Sequence, residues 1–157
     1  MNTCDLCDLH EHRVRVLELP LRDYGGLLAF DGRVSTIKAY EDNSLVREAV
    51  AEDGRGRVLV IDGGGSMRRA MLGDLLAAKA LENGWAGVLV FGAIRDSGAI
   101  GAMALGVKAL GTHPRKTDKL GQGLRDVPVE FGGLLIHPGD WLCADQDGVV
   151  LADEELR

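Results

Sequence analysis

Large rings are scarce in this chain: aromatic residues make up 4% of its 157 positions, so its core has to be assembled from Val, Leu, Ile and Ala. No apolar run comes near the roughly 18 residues that a membrane span requires. The first residues, Met-Asn-Thr-Cys-Asp-Leu-Cys-Asp, are acidic where a signal peptide needs positive charge followed by an apolar stretch. Both absences lead to the expectation of a cytoplasmic protein. Positive charge is also in deficit, with 18 Lys and Arg against 24 Asp and Glu and a net charge of −6. General affinity for nucleic acid comes from basic surfaces that neutralise phosphates, so no direct nucleic-acid binding is expected. Three cysteines are too few, and odd in number, for a disulfide framework, and fit a reducing compartment.

Glycine, by contrast, is abundant at 22 residues, which implies many tight turns between short elements. One domain with one core is expected over residues 1–157. Cys4 and Cys7, with His10 and His12, resemble part of a zinc site, but a finger needs a second ligand pair at a recognised distance. The segment reads instead as a helical turn that sets Leu6, Cys7 and Leu9 against the body. Val14 to Leu21 is weakly extended. Leu27 to Tyr40 alternates around Asp31-Gly32, a hairpin signal. Asp42 or Asn43 is placed to cap a helix with Leu45, Val46, Ala49 and Val50 on its apolar face. Val58 to Ile61 is a fully apolar strand of the kind buried inside a parallel sheet.

Asp62-Gly63-Gly64-Gly65-Ser66 then closes the strand. It is neither a dinucleotide fingerprint nor a P-loop, because it opens no helix directly and no Gly-Lys-Ser/Thr follows. Two readings stay open for it, a tight turn and a close backbone approach to a small ligand. No methyl-donor motif is visible. Further on, Ser97 to Met103 reads as a short helix and Val107 to Leu110 as a strand. Arg115, Lys116 and Lys119 form a basic cluster in the loop from Pro114 to Gly123, a pattern that more often marks a solvated loop than an RNA patch. Val127 to Phe131 and Leu134 to His137 pair across Gly132-Gly133, and Trp141 to Ala144 and Val149 to Leu151 flank Asp145 to Gly148. Cys143 reads as a small buried hydrophobe.

The chemistry gathers at Gly73-Asp74-Leu75-Leu76 and at Arg95-Asp96. A helix from Asp74 to Asn83, a turn at Gly84 and a strand from Trp85 to Phe91 return the chain to the sheet edge from which the helix started. About ten helical residues span roughly 15 Å and a strand of about seven rises roughly 23 Å, so the two ends can meet. Leu75 and Leu76 lie in the first helical turn, where free N–H groups and the dipole favour a carboxylate. Arg95 offers a planar fork of donors to a carboxylate, carbonyl or enolate oxygen. Asp74 and Asp96 are hard oxygen ligands of the kind Mg2+ or Mn2+ prefers.

These motifs resemble the RraA-like family, which includes the regulator of ribonuclease E activity and the class II 4-hydroxy-4-methyl-2-oxoglutarate aldolases. The resemblance rests on Asp74 followed at the family's spacing by Arg95-Asp96, on Asp62-Gly-Gly-Gly65, on Glu41-Asp-Asn43, and on Pro138 to Gly148. It covers nearly the whole chain. It implies an α/β fold, a swivelling β/β/α domain with a central βαβ unit and flanking antiparallel hairpins. It also implies a homotrimer or hexamer with sites between subunits. By the same resemblance, Arg95 binds the pyruvyl group of a small 2-oxo acid, Asp96 anchors a divalent cation, Gly73 to Leu76 receive the carboxylate, and Asp74 holds a water on that metal. Larger aldolases of the family lend a C-terminal carboxylate to the neighbouring subunit, whereas this chain ends at Arg157. Decarboxylation of oxaloacetate needs the same pyruvate enolate but no base for a tertiary alcohol, and is the less demanding reaction.

Three functions follow as expectations. The first is a metal-dependent lyase cleaving 4-hydroxy-4-methyl-2-oxoglutarate and decarboxylating oxaloacetate. The second, a Schiff-base aldolase, is weaker because it needs a buried Lys, and Lys38, Lys79 and Lys108 are expected to reach solvent. The third is a regulator that binds ribonuclease E through its acidic surface.

Overall fold

Residues 2–157 are described by the structure, a computed structural model. Asn2 caps the first helix, α1 (Thr3–Leu9), by accepting the Asp5 N–H at 2.8 Å. Leu6 is buried in a small cluster with Trp141 and Cys143, and Leu9, expected against the body, points to solvent. The cysteines and histidines of this segment join no metal-binding group among the described residues. Two short strands follow, β1 (Arg15–Val16) and β2 (Arg22–Asp23), and then β3 (Phe30–Lys38), nine residues long.

β3 corrects the hairpin expected at Asp31-Gly32, for it runs unbroken through both residues. Glycine is needed there for approach rather than for a turn: a Cβ on Gly32 would stand 2.9 Å from the Gly56 carbonyl oxygen. Asp31 meanwhile accepts the indole N–H of Trp141. After α2 (Ser44–Val50) comes β4 (Arg57–Asp62), in which Val58 and Val60 face one way and Leu59 and Ile61 the other, all buried. β5 (Ala70–Leu72), not foreseen from the sequence, leads into α3 (Asp74–Glu82), and β6 (Gly87–Ile94) returns. The chain continues through α4 (Ser97–Gly101), β7 (Gly106–Thr112) and β8 (Leu124–Arg125). It ends with two hairpins, β9 (Val129–Phe131) with β10 (Leu134–Ile136) and β11 (Trp141–Asp145) with β12 (Gly148–Ala152).

The fold is mixed α/β, with one large sheet in the order β1-β12-β11-β3-β4-β6-β7-β2. Its centre, β3-β4-β6-β7, is parallel, and each crossover carries a helix. Helices cover one face, where Val46, Ala49, Val50, Ala77 and Ala80 meet Leu59, Ile61, Val88 and Val90. The β9–β10 hairpin covers the other, where Val129, Phe131 and Ile136 meet Val58, Val60 and Leu89. Gly132 and Gly133 turn this hairpin with positive φ of 57° and 76°. α3 buries Ala77 and Ala80, with Leu76 packed against the same core, and its short side chains let it lie close to the sheet; Leu75 is 82% exposed. No helix among the described residues is long and apolar enough to cross a membrane.

Candidate active site

Parallel pairing of β4, β5 and β6 brings their C-terminal ends to one edge, and there β5 hands over to α3. The Arg95 N–H donates to the Leu72 carbonyl at 2.9 Å, so the end of β6 is tied to the start of α3. The Asp74 N–H donates to Asp96 Oδ2 at 3.0 Å, and Arg95 Nε stands 3.9 Å from that oxygen. The two stretches expected to meet do meet. The first intrahelical bond runs from the Ala77 N–H to the Gly73 carbonyl at 3.0 Å, which leaves the N–H groups of Leu75 and Leu76 for an anion. Gly73 matters by its size, since a Cβ there would lie 2.9 Å from Asp96 Oδ2 and 3.2 Å from Arg95 Nε. Asp96 itself is held left-handed at φ 56°, ψ 40°, a conformation uncommon outside glycine and met at sites that need a side chain in one place.

A cavity of about 310 Å³ opens at this corner, lined by Gly73, Asp74, Leu75, Leu76 and Arg95. Its volume lies at the small end of ligand-binding cavities. Five further lining residues, Asn43, Arg47, Ala70, Lys116 and Lys119, were not singled out as site residues from the sequence. Lys116 and Lys119 belong to the loop read as merely solvated. What brings this loop to the cavity is Asp42, which anchors it through the backbone N–H groups of Leu120 at 2.8 Å and Gln122 at 3.2 Å. Asn43 is 5% exposed. Its Nδ2 donates to the Met71 carbonyl at 3.3 Å, while its buried Oδ1 has no partner among the described residues. A buried acceptor left open at a cavity wall calls for a donor from a ligand or water.

The glycine run does not line this cavity. Cβ atoms on Gly64 and Gly65 would meet the rings of Tyr40 and Phe91 at 2.8 and 3.1 Å, and Glu41 braces the turn by accepting from Ser66 Oγ at 2.7 Å and Arg68 Nε at 3.0 Å. Gly64 and Gly65 turn the chain here with positive φ of 68° and 73°. Lys108, expected to reach solvent, is 2% exposed; its Nζ pairs with Asp23 Oδ1 at 2.8 Å on the far strand β2, away from Arg95. Burial, with Asp31 and Asp145 near, pushes the Cys143 thiol up to about 11, so it stays protonated and is no nucleophile at neutral pH.

The model of the RraA-like family, described as Aldolase/RraA, matches residues 3–151. The chain belongs to that family. A relative of the RraA-like chain in Alkalilimnicola ehrlichii is 56% identical over 98% of this chain and 96% of its own length, and carries the provisional name 4-hydroxy-4-methyl-2-oxoglutarate aldolase. One in Aromatoleum aromaticum, 54% identical over 98% and 97%, carries the same provisional name. Among solved structures, a Geobacillus kaustophilus protein described as an S-adenosylmethionine:2-dimethylmenaquinone methyltransferase superposes with a TM-score of 0.98, at 52% identity over 99% and 97% of the two chains. The RNA-processing inhibitor RraA from Thermus thermophilis superposes with a TM-score of 0.97, at 43% identity over 100% and 95%.

Proposed function

We propose that this RraA-like chain is a divalent-metal-dependent lyase that cleaves 4-hydroxy-4-methyl-2-oxoglutarate to pyruvate and decarboxylates oxaloacetate. The observation that carries the reading is Arg95 and Asp96 set against the first turn of α3 across a glycine whose missing Cβ leaves them room. The aldolase names of the relatives support it.

Asp96 fits Mg2+ or Mn2+, which take one or two protein carboxylates and complete their shell from substrate and water. Asp96 Oδ2 is engaged by the Asp74 N–H, whereas Oδ1 accepts no hydrogen bond among the described residues. Among the described residues, no third His, Cys, Asp or Glu joins Asp74 and Asp96 there. Asp96 would hold the cation, whose chemistry as a Lewis acid is to polarise the 2-oxo group. In the retro-aldol reaction the C3–C4 bond breaks, its electron pair forms the enolate of C2 and C3, and the 4-hydroxyl proton leaves as C4 becomes a ketone. Protonation of C3 then gives a second pyruvate. In oxaloacetate the same bond breaks with release of CO2, and the same enolate is protonated. The N–H groups of Leu75 and Leu76 receive the carboxylate next to the 2-oxo group. Arg95 places its guanidinium where enolate charge grows, and Asp74 orients a water for proton transfer.

The test is pyruvate release from each substrate with Mg2+ or Mn2+, with and without EDTA. Turnover abolished by EDTA and restored by the ion is expected, and no turnover with any divalent ion overturns the reading. The description of the Thermus relative as an RNA-processing inhibitor favours a second reading, inhibition of the ribonuclease E that the family resemblance implies as partner. In that case, capture of ribonuclease E on the immobilised protein and slowed RNA cleavage are expected without any turnover.

A further inference from the structure

One wall of the cavity is cationic and takes no part in the enolate chemistry. Arg47, one turn into α2, and Lys116 and Lys119, on the loop between β7 and β8, line the cavity beside Arg95. Elsewhere in the molecule Arg68 is matched by Glu41, Arg55 by Asp53, and Arg125 by Glu48 and Glu52. Arg47, Lys116 and Lys119 form no ion pair among the described residues, in a chain whose acidic residues outnumber its basic ones 24 to 18. Unmatched cations that converge on a cavity favour an anion there, and the same cavity already has a place for one carboxylate at the start of α3.

The supports of these cations are fixed. Asp42, 1% exposed, accepts from the N–H groups of Leu120 and Gln122 at 2.8 and 3.2 Å, and from the Ser44 N–H at 2.9 Å. Ser44 Oγ accepts the Gly121 N–H at 2.9 Å, and the hydroxyl oxygen of buried Thr117 accepts the Asn43 N–H at 3.2 Å. On the other side the Ala70 N–H donates to the Arg115 carbonyl at 2.7 Å. The backbone of the basic loop is thereby held against both the head of α2 and the strand that leads to Gly73.

We propose that Arg47, Lys116 and Lys119 form a subsite for a second carboxylate, remote from the pyruvyl group, so that the site selects 2-oxo dicarboxylates over 2-oxo monocarboxylates. This rests on the lyase reading above. The subsite has a kinetic signature. In the retro-aldol reaction the remote carboxylate keeps its charge throughout, so contacts to it are equal in ground and transition states and act on KM. In oxaloacetate decarboxylation that carboxylate gives up its charge as CO2 leaves, so the same contacts favour the ground state and oppose kcat.

The experiment compares K116Q, K119Q and the K116Q/K119Q and R47Q/K119Q pairs with the unmodified protein. It measures kcat and KM for oxaloacetate and 4-hydroxy-4-methyl-2-oxoglutarate, and the inhibition constant of pyruvate, which has no second carboxylate. For the paired variants KM is expected to rise about tenfold for both dicarboxylates, as hydrogen bonds to charged groups at a solvated rim imply. The pyruvate constant should shift several-fold less, kcat for oxaloacetate should not fall, and K119R should recover most of the loss. Equal losses for pyruvate and the dicarboxylates, a loss confined to kcat, or variants that match the unmodified protein would each overturn the subsite while leaving the lyase reading standing. No turnover by the unmodified protein removes both. Circular dichroism of each variant separates these outcomes from misfolding.

Discussion

Arg95 and Gly73 carry the sharpest consequences of the site, one by what it donates and the other by what it lacks. If the guanidinium meets charge that develops on an enolate oxygen, Arg95→Lys should lose rate although the charge is kept, because an ammonium cannot reproduce a planar two-point contact. The expected loss is on the order of 10²–10³-fold, mainly in kcat. Combined with Asp74→Asn it should be less than additive, since both groups share one corner; near-normal turnover by Arg95→Lys would contradict the mechanism. Gly73→Ala tests the space. Its methyl group would lie 2.9 Å from Asp96 Oδ2, so the carboxylate has to move, while the backbone of Gly73, at φ −124°, suits alanine. Turnover and divalent-ion affinity, read by titration, should fall together while thermal stability changes by less than about 1 kcal/mol.

At the scale of elements, Asp42 joins two that sequence distance separates, α2 and the basic loop. Burial pushes its carboxyl up, but hydrogen bonds from Ser44, Leu120 and Gln122 outweigh burial and hold it below its ordinary 3.8. A carboxyl depressed in the native state contributes stability that is present above its unfolded value and is lost as pH falls through the native one. Asp42→Asn should therefore destabilise at neutral pH by roughly 1–3 kcal/mol, the cost of a lost charged acceptor. The gap from the unmodified protein should begin to narrow below about pH 4 and close as pH falls through the depressed native value. Urea unfolding at stepped pH measures it, and a gap independent of pH would count against the assignment. Asp42 also shows what was legible in the sequence and what was not. Asp74 and Arg95-Asp96 could be brought together from element lengths alone, because a helix and its returning strand have fixed rises. The contact between the Glu41–Asn43 segment and the loop near residue 120 runs through backbone N–H groups, which nearly every residue has, so no residue type announced it. Asp31-Gly32 misled for a related reason: glycine admits a turn and a close approach equally, and the Gly56 carbonyl that decides between them lies far along the chain. β5, three residues long, is too short for any periodicity.

At the scale of the whole molecule, apolar side chains remain outside. Leu75, Leu120, Leu124 and Tyr40 are exposed, and the first two lie on segments that also line the cavity. Closed symmetric packing covers such surface, and a homotrimer or hexamer is the assembly expected from it. Light scattering at micromolar concentration should return a multiple of the 16.8 kDa chain; the mass of one chain would refute it. Replacing Leu75, which caps both the cavity and the outer face of α3, with Glu should lower that mass and the turnover together.

The strand β5 lies off the main path of the sheet, touching it through β6 alone with a shifted register at Leu72. The backbone bond that holds Arg95 to the chain leading into α3, from the Arg95 N–H to the Leu72 carbonyl, passes through this short tab. Local opening costs less than global unfolding where few bonds must break. The tab is therefore the place where the corner comes undone first: on warming, catalysis should fade while the far-ultraviolet spectrum still reads as native, and amides of residues 70–72 should exchange with deuterium ahead of those in β4.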